Sequence, residues 1–366
     1  MTYADIILPL PLEGYFTYCV PDTMDPRLQP GCRVRVPLGK TKTYTGLVAA
    51  LHDQVPAGLK TGKEGVKSIV EMMDSGPVLL PQQLRLWQWI ADYYLSPIGD
   101  VYKAALPSGL KAEDDYRPKT ETYVFRSAQA LRAAQAMLQR APAQQKVLRA
   151  YLELASVSEE NPVPQREITR EELMNEAHCT ATVLRQFLDR RILRQYEKEV
   201  GRIPLGGMPH PEHIKPLSEA QADAYNQILV QQMSKDITLL HGVTSSGKTE
   251  IYIHLIQRAL DEGRQVLYLL PEIALTVQMM QRLRRVFGDR LGIYHSRYSD
   301  AERVEIWKRQ LSDHPYDVIL GARSALFLPF QRLGLVIVDE EHEQSFKQMD
   351  PAPRYHARSA AIILAK

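Results

Sequence analysis

The sequence predicts a multidomain α/β protein: a β-rich N-terminal domain, a winged-helix-like middle, and a P-loop lobe built on a parallel sheet. Three observations predict it. Short β-branched and aromatic runs, separated by Pro and Gly, fill residues 1–107. Helical periodicities dominate residues 108–200. From Leu217 onward, apolar strands alternate with amphipathic helices around Gly242–Thr249, which fits G-x-x-x-x-G-K-[ST].

Composition sets the bounds. A chain of 366 residues, 45% hydrophobic, has room for about two or three domains. A net charge of +2 confines any nucleic-acid surface to a local patch. Cys19, Cys32 and Cys179 are scattered without a C-x-x-C pair, which argues against a zinc site or a disulfide framework in this chain. No signal-peptide pattern and no apolar run of membrane-spanning length are present, so a cytoplasmic protein with no membrane partner is expected.

In the first domain, Ile6–Leu8, Tyr15–Val20, Arg33–Val36 and Tyr44–Val48 read as strands, and Val66–Met72 as another. Arg33-Val34-Arg35-Val36-Pro37 alternates, giving one basic and one apolar face, the basic one reading most simply as a solvated strand face. Pro81–Tyr94 reads as a helix with Leu84, Trp87, Ile90, Ala91 and Tyr94 on its apolar face, where Trp87 and Tyr94 fit a core better than a base-stacking surface. Residues 108–118 are polar and read as a linker. Ser127–Gln139, Ala143–Ala155, Thr169–Ala177 and Thr180–Arg190 read as helices, and Ile192–Glu197 as a closing strand. That order fits a winged helix with Thr180–Arg190 in the recognition position, where Arg185, Arg190 and Arg191 could meet phosphates. A helical spacer with solvated arginines fits the pattern equally. Residues 201–216, rich in proline, read as a linker before a lobe spanning 217–366.

In the lobe, Asp236–His241 reads as a short buried strand leading into the P-loop, and Glu250–Leu260 as the helix behind it. Gly242, Val243, Thr244, Ser245, Ser246 and Gly247 would cradle phosphates with backbone N–H groups at a helix N-terminus. Lys248 would reach the β- and γ-phosphates, and Thr249 would ligate Mg²⁺. Strands are expected at Val266–Leu270, Leu291–His295, Asp317–Gly321 and Leu335–Val338, with helices at Gln278–Phe287 and Asp300–Leu311. The last strand runs into Asp339-Glu340-Glu341-His342. Alone, this would be an acidic cap. Behind a buried strand in a P-loop chain it is a Walker-B element, with Asp339 holding Mg²⁺ through water and Glu340 polarising the attacking water.

These stretches, together with Leu270–Thr276, His295-Ser296 and Gly321–Pro329, resemble the motifs of superfamily 2 DExH helicases. More narrowly they resemble the PriA (primosomal protein N′) family of replication-restart helicases, over nearly the whole chain. Gly321–Pro329 and Ser345–Arg358 are the most diagnostic pieces. The resemblance implies a first RecA-like lobe that uses ATP and Mg²⁺, and an aromatic-rich loop that couples DNA contact to turnover through His342, Tyr355, His356 and Arg358. It implies that Gln221 reads adenine, although a helix-start residue would look the same. It implies that Thr276, Ser296 and Arg323 contact single-stranded DNA. In the first domain, Phe16, Thr17, Gly39 and Lys67 would cradle the 3′ end of a nascent strand, with Thr17 standing where an aspartate is often found.

The family's implied role is a 3′-to-5′ DNA helicase acting on stalled forks, D-loops and single strands. Its implied partners are primosome proteins, single-strand-binding protein and the loader of the replicative helicase. Members continue into motif III, a second lobe with arginine fingers, and a zinc region. The expectation is therefore an N-terminal portion or split product that binds nucleotide and DNA but unwinds little alone, with zinc only in the part not present. Two other classes stay open: a fork-binding module whose P-loop only switches conformation, and a P-loop ATPase acting on a protein partner.

Overall fold

A computed structural model describes residues 2–54, 66–111, 120–126, 142–156, 166–190, 192–199, 213–243, 246–274, 276–295 and 298–366. The chain forms two compact units. One joins Met1–Tyr116 to Ile203–Lys366, and the other is Arg117–Arg202.

The first unit begins with β1 (Tyr3–Ile7), β2 (Phe16–Cys19), β3 (Arg33–Leu38), β4 (Lys42–His52) and the short β5 (Glu71–Met72). They form an antiparallel sheet in the order β2-β1-β4-β3-β5. The long strand expected at Val66–Met72 shrinks to two residues, preceded by an isolated bridge between Ser68 and Cys19. The basic face expected on β3 is engaged in ion pairs. Arg33 is buried, pairs with Asp74 at 2.6 Å and donates to Leu110 O at 2.7 Å, while Arg35 pairs with Glu71 at 3.1 Å. Helices α1 (Pro81–Tyr93), α2 (Ile98–Ala105) and α3 (Ser108–Lys111) close the region. Trp87 is fully buried, as the apolar stripe of α1 predicts.

The second unit holds β6 (Thr120–Arg126), α4 (Pro142–Leu154), β7 (Ile168–Thr169), α5 (Arg170–Glu176), α6 (Ala181–Asp189) and β8 (Leu193–Glu199). Its strands are ordered β7-β6-β8, antiparallel. The strand β6 was not expected from the sequence. It supplies the sheet that the helices need, and Val124, Val147, Tyr151, Ile168, Leu173, Leu184 and Phe187 form a separate core. Within the winged-helix arrangement Arg190 donates to Gln144 Oε1 at 3.0 Å, tying α6 to α4, whereas Arg185 is exposed. The expected helix Ser127–Gln139 and Arg191 lie outside the described residues.

The rest of the first unit is the α/β lobe. It runs through α7 (Glu219–Gln232), α8 (Lys248–Asp261), β9 (Gln265–Leu269), α9 (Val277–Phe287), β10 (Leu291–Tyr294), α10 (Asp300–Leu311), β11 (Val318–Gly321), β12 (Leu333–Val338) and α11 (Ala357–Ala365). The sheet is parallel, in the order β10-β11-β9-β12. Strand β9 is buried on both sides, as a strand covered by two helical layers must be. Val266, Tyr268 and Leu270 enter one core with Ile251, Tyr252, Leu255 and Leu283, from α8 and α9. Leu267 and Leu269 enter the other, which holds Trp307 of α10, Ala360 of α11 and also Leu86, Trp87 and Ile90 of α1. The N-terminal region and the lobe therefore share one core. Polar bonds stitch the same seam: Trp307 Nε1 donates to Val78 O at 2.8 Å, Gln82 to Phe330 O at 2.8 Å, and Gln83 to Phe327 O.

One expected strand does not form. Residues 236–243 lie outside any strand, and Ile237, Leu239 and Val243 are exposed. An apolar run becomes a strand only when a neighbour pairs with its backbone, and among the described residues β12 pairs with β9 alone.

Candidate active site

The site lies where α8 begins and β12 ends. Gly247 is the N-cap of α8 with φ +86°, a left-handed conformation that suits glycine. A Cβ there would also stand 2.3 Å from Gln221 Nε2. Lys248, the first residue of the helix, donates to Gly242 O at 2.8 Å and sits 3.6 Å from Glu340 Oε1. Thr249 follows in the same first turn. Thr244 and Ser245, within the phosphate-binding loop, lie outside the described residues.

Asp339 leaves the end of β12 nearly buried, 9% exposed. Burial pushes its carboxyl up from the usual range, opposed by the hydrogen bond from Tyr268. Tyr252 donates to Oδ1 at 3.3 Å and Tyr268 to Oδ2 at 3.0 Å, while the Glu340 N–H donates to Oδ1 at 3.1 Å. Glu340 itself has φ +49°, a conformation that strains a side chain with a Cβ. His342 is exposed, 3.9 Å from Glu340 Oε2.

The residues fit a magnesium nucleotide. Asp339 and Thr249 offer the hard oxygen donors that Mg²⁺ requires, and the Tyr252–Asp339 bond brings the first turns of α8 against the end of β12. Lys248 supplies a charge for phosphate oxygens.

Gln221 does two jobs in the structure. Its Oε1 accepts from Ser218 N at 2.9 Å as a helix capping box, and its Nε2 donates to Gly247 O at 3.2 Å, on the P-loop itself. Thr276 caps α9 by accepting from Met279 N at 3.2 Å, and its side chain remains on an exposed residue. Arg323 donates to Ser345 O at 3.4 Å and Lys347 O at 3.1 Å, so it holds the segment expected to couple DNA contact to turnover. Ser296 lies outside the described residues.

In that segment Tyr355 is fully buried against Phe327, at 5.2 Å between ring centroids, which makes it core rather than surface. The His356 N–H donates to Tyr94 Oη at 3.1 Å, and Lys347 Nζ stands 5.0 Å over the Tyr94 ring. Burial, with the charges of Arg358 and Lys347, lowers the pKa of His356. Arg358 pairs with Glu341, beside the Walker-B pair. His342 thus lies near Glu340 and Arg358 at Glu341, whereas Tyr355 packs on Phe327 and the His356 backbone bonds Tyr94 at the end of α1.

The four residues expected at the DNA 3′ end do not all face one way. Lys67 donates to Gly39 O, bringing those two together at the β3–β4 turn. Phe16 packs, partly buried, against the core of this sheet. Thr17, one residue on, faces the opposite side of the sheet and donates to Asp5 Oδ1 at 2.7 Å. Asp5, Tyr252 and Tyr268 are the polar contributors that motif reading missed. Only Tyr252 left a signal, four residues after Lys248 and hence on the same helix face.

The parallel sheet, P-loop helix and acidic strand end define a helicase-type nucleotide lobe, and residues 218–362 match the DEAD/DEAH box helicase family. Residues 5–107 match the 3′DNA-binding domain (3′BD) of PriA, and residues 121–200 the winged helix domain of PriA helicase from Bacteroidota. The replication restart protein PriA of Haemophilus influenzae is 34% identical over 372 residues, covering 100% of this chain and 48% of that protein. That of Bacillus subtilis is 30% identical over 425 residues, covering 100% and 52%. That of Helicobacter pylori is 42% identical over 154 residues, covering 42% and 25%. The chain belongs to the PriA family. It spans about half the length of the curated relatives it matches along its whole length.

Proposed function

We propose that this chain binds branched and single-stranded DNA and hydrolyses ATP as part of a 3′-to-5′ helicase that restarts replication at stalled forks and D-loops. The supporting observation is the convergence of Lys248, Asp339 and Glu340 at one sheet edge, on a lobe whose core also includes the N-terminal region. Lys248 would hold the β- and γ-phosphates. Asp339 and Thr249 would hold Mg²⁺, which supplies charge neutralisation at the phosphates when bound. Glu340 would orient and polarise the attacking water. Gln221 would report on the P-loop through Gly247, with adenine recognition as its second role. Arg323, Thr276 and Ser296 would meet the DNA backbone. Phe16, Thr17, Gly39 and Lys67 would receive the 3′ end, with the Asp5 carboxylate behind Thr17. Primosome proteins, single-strand-binding protein and a helicase loader are the proposed partners, and the cytoplasm the proposed location.

The test is binding to a model fork whose leading-strand arm ends in a 3′-hydroxyl against one ending in a 3′-phosphate. Weaker binding of the phosphate supports end recognition, because extra bulk and negative charge would enter a pocket suited to a hydroxyl. Equal binding would withdraw the fork-restart reading and leave a nucleotide lobe with a β-rich domain of another purpose. In parallel, Lys248→Ala is expected to abolish ATP turnover while DNA binding persists.

A further inference from the structure

Both oxygens of the Asp339 carboxylate are held by phenols from two different elements. Tyr252 comes from α8 and Tyr268 from β9, and both rings are buried in the core on that face of the sheet. Their rings meet edge to face, 5.6 Å apart at 76°. Tyr268 pairs with Ile337 on β12, two residues before Asp339, so its side chain rises on the same sheet face as the carboxylate. Tyr252 lies one helical turn beyond Lys248 and Thr249, so its hydroxyl ties the turn that carries the phosphate-binding lysine to the carboxylate. Burial raises the pKa of both phenols, so both remain neutral donors at neutral pH. One hydrogen bond would satisfy a buried oxygen. Two donors on two packed elements also fix the plane of the carboxylate.

We propose that Tyr252 and Tyr268 are positioning residues for the magnesium nucleotide: they lock the Asp339 carboxylate in one orientation before the cation arrives. This rests on the nucleotide reading above. Both tyrosines act through Asp339, and their contribution is the orientation it no longer has to find on binding.

The test uses the full chain with Tyr252→Phe, Tyr268→Phe and both together, where each change deletes one oxygen and keeps the ring in the core. Affinity for a fluorescent ADP analogue is measured in EDTA and then across a Mg²⁺ titration, alongside thermal melting. The expected result is unchanged affinity in EDTA and a Mg²⁺ half-saturation raised about tenfold by each single change, the scale of one hydrogen bond to a charged acceptor. Asp339→Ala, which has no carboxylate left to orient, marks the upper limit of the effect. Variants that melt earlier yet keep the wild-type Mg²⁺ half-saturation would overturn the proposal, because both phenols would then be structural only. A wild-type chain that binds the analogue with no response to Mg²⁺ would also overturn the proposal, while one that fails to bind the analogue with or without Mg²⁺ would overturn the nucleotide reading, and this proposal with it.

Discussion

The N-terminal β-rich region and the winged-helix unit differ in what they pack against. The first shares a core with the nucleotide lobe, although about a hundred residues of chain separate them in sequence. The second, encoded between those two stretches, has a core of its own. Chain order is therefore a poor guide to cooperative units here: the first and last parts of the sequence fold together and the middle is self-contained.

The largest expected effect breaks the shared core. Trp307→Ala removes a fully buried ring and its bond to Val78 O, and should cost about 3–5 kcal/mol. In calorimetry, the transition carrying both the lobe and the β-rich region should move, while the winged-helix transition stays. A shift of the lobe alone would refute the shared unit. Leu184→Ala is the reciprocal change, at about 2–5 kcal/mol, confined to the winged-helix unit. Gln83→Ala tests the polar seam. It strips the donor to Phe327 O and the acceptor for Leu80 N, with an expected cost of about 1–3 kcal/mol in the first unit.

Acidification sharpens the same comparison with a smaller effect. His356, on the seam with Tyr94, has a folded-state pKa below its ordinary 6.5. Its unfolded form thus gains a proton first as pH falls. The associated stability is present in full above pH 6.5 and is lost as pH drops through and below that value. Melting of wild type and His356→Asn at about pH 8 and about pH 5.5 should show the larger acid loss in the wild type. A parallel loss in both would remove His356 from the seam's pH response. The smallest change is Arg190→Ala, which deletes one partly buried bond to Gln144 and should cost about 1 kcal/mol or less, felt only in the winged-helix unit.

The P-loop and the acidic pair stood out in the sequence because their chemistry demands fixed residues at fixed spacing, and β12, which leads into the acidic pair, announces itself by the apolar run Leu335–Val338. The alternation at the start of β3 and the stripe of α1 were legible from their periodicity. What escaped was set by distant partners. Arg33 and Arg35 looked like a basic strand face, most simply a solvated one, but Asp74 and Glu71 pair with them from residues distant in sequence. Asp236–His241 had the composition of a strand and lacked a ladder. Strand β6 is fixed by its pairing with β7 and β8, and it followed a polar stretch that read as linker. In the site, motif spacing named Asp339 and was silent on Tyr268, which lies 71 residues away in sequence.

Glu340 bears on how this protein could be improved or could decay. Its left-handed backbone is a poor place for a glutamate, at a cost on the order of 1–3 kcal/mol, and glycine or asparagine would rest there more easily. A library screened for heat resistance alone would be drawn to that position and return hardier proteins that had lost the carboxylate proposed to activate water. Selection for turnover must keep pulling the other way, and relaxed selection should be visible first at this residue.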